Sequence, residues 1–431
     1  MKMNKTLLST AVAVGLLSTS GVTQAAGFQL AEYSATGLGR AYAGEAAMAD
    51  NAGAQWRNPA MLTYLEGTQV SIGAIYVDPN IDLEGTSGAN TPASSKDFAH
   101  SAVIPNFYVS HKYSEKLAIG FAAGTNYGME TDLGKDFAGA NHGNEASVIS
   151  MELNLNAAYQ VLDNVSVGGG IRYVMAEGSF GATAAATLPV GTTLKYMEGD
   201  DTAWGWQVGT AWQINENNRL GFTYKSEVDL TLEGHARGAA FDKVAAVVGT
   251  VKPQYNGSME LALPATAELA SFHQLTDTVA IHASINWTNW SSFKELVADI
   301  PEFGPARTQE IKQENWEDNY RFAIGTTYQM TPKLALRSGI AYDTSAVSEE
   351  HRTATIPETD RTWLSIGAGY QWSEQLTLDA GFTYIFAKDA KMHETDPGTP
   401  QKPGADMFGG SFEGEVSGSI WLVGVQANYR F

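Results

Sequence analysis

The chain has 431 residues, of which 44% are hydrophobic and 10% aromatic, and a formal net charge of −20. That charge argues against a nucleic-acid ligand, which needs a basic surface to release counterions, and the absence of cysteine excludes disulfides and thiolate metal sites. No Pro/Ser linker or composition break divides the chain, so one large closed sheet is expected in place of the two or three soluble domains the length would suggest.

Residues 1–25 open with Lys2 and Lys5, continue through an apolar stretch from Leu7 to Leu17 and end in small residues at Thr23-Gln24-Ala25, a secretory leader with cleavage expected after Ala25. No later segment offers the roughly 18 to 20 uninterrupted apolar residues of a spanning helix, which excludes a helical membrane protein. Residues 26–67 lack strand alternation and are rich in Gly and Ala. They nevertheless carry Phe28, Leu30, Tyr33, Leu38, Tyr42, Met48 and Trp56. Such aromatics favour a packed element over a flexible arm, and the roomy place for it is the bore of a barrel.

From residue 68 to 431 the pattern changes to alternation with period two. Val165, Val167, Ile171, Tyr173 and Met175 oppose Ser166, Gly168, Gly170 and Arg172. Phe322, Ile324 and Tyr328 oppose Arg321, Gly325 and Gln329, and Leu376, Leu378, Ala380, Phe382, Tyr384 and Phe386 oppose Thr377, Asp379, Gly381 and Thr383. One face matches hydrocarbon and the other a polar lumen. Short turn signals near 113–115, 162–164, 215–218, 276–277, 331–332 and 373–374 alternate with long Gly-, Asp- and Thr-rich stretches. The latter, 79–98, 127–146, 177–201, 234–254, 289–317, 344–360 and 387–417, are expected to be outer loops. Counting the runs gives about fourteen strands, an even number as single-chain bacterial barrels require. Trp204, Trp206, Trp212, Trp287 and Trp363 fall near strand ends, as interfacial girdles would place them. The last strand sets Trp421, Val423, Val425, Ala427, Tyr429 and Phe431 against Leu422, Gly424, Gln426, Asn428 and Arg430. The fold expected is therefore all-β: a transmembrane antiparallel β-barrel of about fourteen strands with an N-terminal hatch in its lumen, monomeric, in contact with outer-membrane lipid and lipopolysaccharide.

Several blocks resemble one family. Ala26-Gly27-Phe28-Gln29-Leu30, Gly37-Leu38-Gly39-Arg40-Ala41-Tyr42, Ala49-Asp50-Asn51-Ala52-Gly53 and Arg57-Asn58-Pro59-Ala60 look like the hatch of the long-chain fatty acid transporter family of outer-membrane barrels, the FadL family. Asn126-Tyr127-Gly128, Leu153-Asn154-Leu155, Thr223-Tyr224-Lys225-Ser226-Glu227-Val228, Trp287-Thr288-Asn289-Trp290, Tyr320-Arg321, Gly325-Thr326-Thr327-Tyr328, Ile356-Pro357 and Asp360-Arg361 continue the likeness in the same order. The resemblance implies a fourteen-stranded barrel that takes up hydrophobic molecules and releases them sideways into the membrane. Long-chain fatty acids are the expected cargo, with aromatic or aliphatic hydrocarbons the alternative within the family and a general porin or adhesin the alternative outside it.

Candidate sites follow. Phe241, Val244, Val247, Val248 and Val251 are spaced like one face of a helix, and Phe180, Leu188, Val190 and Leu194 lie in the stretch 177–201. These are capture candidates, and mutual packing of loops would explain them equally; the resemblance implies a groove between the two. By alternation Arg172, Lys225, Arg321 and Arg337 face the lumen, where Glu152 and Asp379 could pair with them in a balanced charge network. Arg172 and Arg321 are also candidate partners for a buried carboxylate. The resemblance places Lys312 at a pocket lysine and Phe28 at an aromatic lining the same pocket, while the family's partner arginine falls near Ala182, where this chain has no base. It also implies an inward kink of the third strand at Thr125, Asn126, Tyr127 and Gly128, facing Ala102, with Asn58, Pro59 and Ala60 seated against it as a lateral gate. His282, Ser284 and Asn286 share one inward face, which admits a barrel hydrolase, although these are also ordinary lumen filling. No cofactor or metal signature is present, and the chain is not expected to be an enzyme.

Overall fold

The computed structural model describes residues 27–88, 90–185, 188–395 and 410–431. The expected leader lies outside the described residues. Fourteen strands form the wall: β1 Thr68–Ser87, β2 Ala102–Lys112, β3 Leu117–Gly124 continued by Gly128–Asp132, β4 Glu145–Leu162, β5 Val165–Thr183, β6 Thr193–Asn215 and β7 Asn218–Lys225 continued by Val228–Arg237. The remainder are β8 Tyr255–Leu263 continued by Thr266–Gln274, β9 Val279–Thr288, β10 Asn319–Thr331, β11 Leu334–Asp343, β12 Arg361–Gln371, β13 Leu376–Ala387 and β14 Phe412–Arg430. Each pairs antiparallel with its neighbours in sequence, and β14 closes on β1 from Gln69↔Arg430 to Ser87↔Phe412. Closure satisfies the backbone within the sheet, which is what a sheet in hydrocarbon requires.

Period-two alternation sorts the side chains as expected. On β13, Leu378, Phe382 and Phe386 are exposed on the outside while Asp379, Gly381 and Thr383 are buried inside. Trp204, Trp206 and Trp212 face outward on β6. Trp363 does not join a girdle: it is buried in the lumen, where Nε1 donates to Asp343 Oδ2 at 2.8 Å. Its register with inward Arg361 and Ser365, opposite outward Leu364 and Ile366, decides the matter. Two expected outer loops are largely strand. The stretch 177–201 continues β5 and β6 as a ladder through Ala182↔Lys195, leaving 184–192 as the connection. β1 likewise runs through 79–87 and pairs with Thr91–Ser95. Polar composition there reflects a sheet that has left the membrane, where its outer face need not be apolar.

Residues 27–65 fill the bore. They form α1 Ala35–Leu38, α2 Ala54–Arg57 and 3-10 turns at Glu45–Ala47 and Pro59–Tyr64. Ser34 caps α1 and Asn58 caps the last turn through Ala60 N at 3.0 Å. Phe28, Leu30, Tyr33, Leu38, Tyr42, Met48 and Trp56 are all buried. Arg40 binds Glu45 and Asp50 at 2.7 and 2.6 Å within the hatch, and Arg57 anchors it to wall residue Glu268 at 2.8 Å. The lumen charges are balanced as pairs: Arg172 with Glu152, Arg321 with Asp343 and Arg337 with Asp379, at 2.8, 2.9 and 2.6 Å.

Candidate functional site

The wall is interrupted at one place on β3. Below it, β3 pairs with β2 from Lys112↔Ala118 to Phe107↔Ala123, and with β4 as far as Gly124↔Glu152. Thr125, Asn126 and Tyr127 then leave the ladder, and pairing to β4 resumes at Gly128↔Ile149. On the other side, Ala102–Asn106 of β2 pair with β1 alone. The stretch contains Pro105, which has no N–H to offer a neighbour. Buried Ala102 stands at its outer end.

The backbone exposed by this break is answered from inside. Leu30 N donates to Asn126 O at 2.6 Å and Gly128 N donates to Phe28 O at 2.8 Å, with Gln29 opposite Tyr127, so the hatch tip pairs with the displaced segment as a short strand. Side chains fix the kink further. Ser150 Oγ donates to Tyr127 O at 2.6 Å, and Asn126 Nδ2 donates to Glu152 Oε2 at 2.6 Å.

Beyond this pairing, Phe28 enters an aromatic cage. Its ring lies 4.6 Å from Trp290, 5.7 Å from Phe293, 6.0 Å from Trp316 and 6.2 Å from Tyr127, centroid to centroid. Gly27 makes the entry possible: its φ is +67°, and a Cβ there would stand 2.5 to 2.8 Å from the rings of Trp316 and Trp290. Glu314, fully buried, accepts from Trp316 Nε1 at 2.9 Å, and its other oxygen has no hydrogen-bond partner among the described residues. Burial pushes its pKa up to about 7, and it does the same to Glu358, whose carboxylate pairs with Arg361 at 2.7 Å. Lys312 stands near the cage, 2.9 Å from Glu394 and 5.9 Å from the Phe180 ring. Between the hatch tip and β8 to β10, a cavity lined by Leu30, Arg57, Asn286 and Arg321 measures about 40 Å³, room for a water molecule but not for an acyl chain.

The remaining candidates separate. Arg172 spends its guanidinium on both oxygens of Glu152 and on Ser226 O, all at 2.8 Å. Arg321 joins Asp343 to Ala41 O of the hatch. Both are structural ties. Phe241 and Ala245, on the helix α3 Ala239–Val248, pack inward with Phe180, and Val244 is half-buried beside them. Val248 and Leu188 are exposed, with Val247, Val190 and Val251. The capture residues are thus part packing and part open apolar surface. Asn58, Pro59 and Ala60 do not sit against the kink. Asn58 Nδ2 donates to Ala46 O and Thr210 O at 2.6 and 2.9 Å, and Pro59-Ala60 dock where Gly168 lets the backbones meet. The hatch tip, Phe28 to Leu30, occupies the position expected of them. Ser284 Oγ accepts from Gly44 N at 3.2 Å, Asn286 Nδ2 donates to Glu268 at 3.0 Å and His282 Nε2 lies 2.9 Å from Thr327 Oγ1, so this trio braces the hatch and its own sheet. Sequence reasoning missed Trp290, Phe293, Trp316, Glu314 and Glu394. The available signal was a concentration of large aromatics in an otherwise polar outer segment.

Comparison with known proteins follows the same lines. The family model described as outer membrane protein transport protein (OMPP1/FadL/TodX) matches residues 16–431. The chain is 37% identical over 427 residues to the 47 kDa outer membrane protein of Pasteurella multocida strain Pm70, covering 95% of this chain and 97% of that one. It is 32% identical over 454 residues to the long-chain fatty acid transport protein of Escherichia coli K12, with 98% and 97% covered. Its fold superposes on a Pseudomonas aeruginosa FadL homologue with a TM-score of 0.83 at 22% identity, over 94% of this chain and all of that one. The Ralstonia pickettii toluene transporter TbuX gives a TM-score of 0.65 at 19% identity, with 94% and 100% covered.

Proposed function

This chain belongs to the OMPP1/FadL/TodX family of outer-membrane transport proteins, and we propose that within it the protein carries long-chain fatty acids passively from the outer surface into the membrane. The chain is an outer-membrane transporter of hydrophobic compounds. An acyl chain settles on the exposed apolar loop residues Leu188, Val190, Val247 and Val248, then passes to the aromatic cage beside Lys312. It displaces Phe28 and leaves between Ala102–Asn106 and Thr125–Gly128. Cleavage after Ala25 would leave Ala26-Gly27-Phe28 as the leading residues of the hatch, with the wall beginning near residue 68. No catalytic step is involved, and the working unit is one barrel surrounded by lipid and lipopolysaccharide.

The observation that carries this reading is the break in the wall, closed by the backbone of the segment whose tip fills the cage. Each methylene removed from water contributes about 0.8 kcal/mol, so an acyl chain has no reason to cross an aqueous bore when a lateral route to hydrocarbon exists. Enlarging Ala102 and Thr125 together to tryptophan should abolish uptake of radiolabelled oleate by cells while the purified barrel keeps its heat-modifiable electrophoretic mobility. Normal uptake by the double variant would refute the route. A hydrocarbon cargo is the second reading, favoured by the four aromatic rings around Phe28 and by Glu394 beside Lys312. A steady ion conductance in planar bilayers would instead point to an open porin.

A further inference from the structure

The wall has a second interruption, between β6 and β7. Their ladder runs from Asn215↔Asn218 to Gln207↔Lys225, lapses, and resumes at Asp200↔Glu233. Seven steps separate the two ends on β6 (207 − 200 = 7) and eight on β7 (233 − 225 = 8), so β7 carries one extra residue. One extra residue disturbs a ladder locally, whereas here residues 201–206 and 226–232 have no ladder register with each other at all. Single contacts stand in for it. Ser226 N donates to Trp206 O at 2.9 Å, Trp206 N to Ser226 Oγ at 3.0 Å and Thr231 N to Asp201 Oδ2 at 2.7 Å. Arg172 Nη1 ties the lower end by donating to Ser226 O at 2.8 Å, and the resumed ladder ties the upper. The seam is a slit held at both ends.

Between those ends side chains close it. In mid-seam β6 turns only Ala203 and Gly205 inward, and a Cβ on Gly205 would stand 2.8 Å from Val228 Cγ2. The stopper is therefore Val228, Leu230 and Leu232 of β7, all buried and all in the same apolar cluster as Phe28 and Trp290 of the cage. A void of about 20 Å³ lined by Met197, Leu232, Ala236 and Met259 adjoins this stopper and gives it space to turn. On the outside, Trp204 and Trp206 flank the seam, with Tyr173 4.8 Å from the first ring and Tyr224 5.4 Å from the second. Such aromatics mark the outer interface of the membrane. Just above them Glu177, Asp200 and Glu233 stand directly opposite one another on β5, β6 and β7, and opposed like charges weaken a ladder. Gly178, Gly199 and Gly234 follow in register, before His235 meets Glu198 at 3.2 Å. The upper tie is the weak one.

We propose that this seam is a second lateral port, through which hydrophobic molecules already dissolved in the outer leaflet reach the apolar cluster around Phe28 without passing the extracellular loops. A molecule entering this way never exposes its apolar surface to water. The port is independent of the cargo argued above and rests only on transport of hydrophobic compounds. Continuing the register from Asp200↔Glu233 sets Ala203 opposite Leu230, and the chain has no cysteine of its own. Purified full-length barrel carrying Ala203→Cys and Leu230→Cys is joined across the seam by a short bis-methanethiosulfonate linker, which dithiothreitol cleaves. The protein sits in phospholipid vesicles containing a hexadecane that bears a diazirine, confined to the bilayer by its insolubility, and labelling of Phe28, Trp290 and Trp316 is read by mass spectrometry. Unlinked protein should be labelled in the cage, linked protein should lose that label, and dithiothreitol should restore it. The same linker between Val208→Cys and Tyr224→Cys, in the intact ladder, should change nothing. Cage label that persists in the linked protein, or that the control linker also removes, overturns the port. So does a wild-type cage that takes no label from the bilayer. Label lost in the Ala102→Trp, Thr125→Trp variant with the seam free also overturns it, assigning all passage to β3 and leaving the fatty-acid reading to its own oleate test.

Discussion

Replacing Phe28 by alanine tests the hatch tip directly. The side chain is 1% exposed and contacts four aromatic rings. Phe-to-Ala changes at such sites cost about 3 to 5 kcal/mol, through lost transfer energy and the cavity left behind. The tip is also held by two backbone hydrogen bonds to the kinked strand and by one from Thr288 Oγ1 to Gln29 Oε1, each worth about 1 kcal/mol net, and by the buried Leu30 side chain. Phe28 is nevertheless the largest single contributor to keeping the tip seated. At about 1.4 kcal/mol per factor of ten, its loss should raise the population of the unseated tip by two orders of magnitude or more. Native-state hydrogen exchange reads this at the amides of Leu30 and Gly128, which close the break. Their protection should fall by at least about 100-fold, while amides in the β1–β14 ladder keep theirs. The same variant should bind laurate more tightly, since the ligand no longer has to expel a ring. Unchanged protection at Leu30 and Gly128 would show that the cage does not hold the tip, and the displacement route would fail with it.

Three further outcomes are expected. Arg172→Met strands the fully buried Glu152 carboxylate and should destabilise the barrel by about 3 to 5 kcal/mol in urea titrations in micelles, with much of the loss recovered in the Arg172→Met, Glu152→Gln double variant. Burial raises the pKa of Glu314 from 4.5 to about 7, so the protonated form is the one the fold prefers at this carboxyl. Its contribution to cage stability is fully present below pH 4.5 and is lost as pH rises through 7. The fluorescence of the caged tryptophans should therefore titrate with a midpoint near pH 7, and Glu314→Gln should remove part of that transition. Ser284→Ala removes an acceptor for Gly44 N and no nucleophile, so lipid hydrolysis should be absent from both wild type and variant, and any activity lost on substitution would restore the hydrolase reading.

What could be read along the chain follows from how local each feature is. Alternation between Leu378 and Asp379, or between Ile366 and Ser365, needs only a strand and two solvents, so the wall, its turns and its inward residues were legible. Trp363 lies near a strand end, where its residue type suggests a girdle, but its register groups it with inward Arg361 and Ser365. The strand extensions within 177–201 and 79–98 look like loops in the sequence because alternation fades once the outer face meets water instead of lipid. The cage was not legible. It assembles Phe28, Tyr127, Trp290 and Trp316 from segments up to 288 positions apart in a numbering of 431 (316 − 28 = 288), and nothing in their local spacing announces the encounter.

The break in β3 sets an energetic condition on what can pass. In hydrocarbon an unpaired backbone group is expensive, so the open state cannot be a permanent slot: when Phe28 to Leu30 withdraw, Asn126 O and Gly128 N lose the partners that the hatch supplied. Opening then costs about 1 to 3 kcal/mol for each of the two stranded groups, together with the burial of the Phe28 ring at about 3 to 5 kcal/mol. A cargo that displaces the tip must supply a comparable amount by entering the cage, and at about 0.8 kcal/mol per methylene that requires roughly six to fourteen buried methylenes. Short acids and small polar solutes do not meet this condition, and a long acyl chain does. On the proposed route, once the chain has left for the membrane nothing would compete with Phe28 for its four rings, and the same two backbone hydrogen bonds would draw the wall closed. Selection by length and resealing after passage would then be two consequences of one arrangement, a gap in a membrane sheet mended by a strand that a sufficiently apolar guest can dislodge.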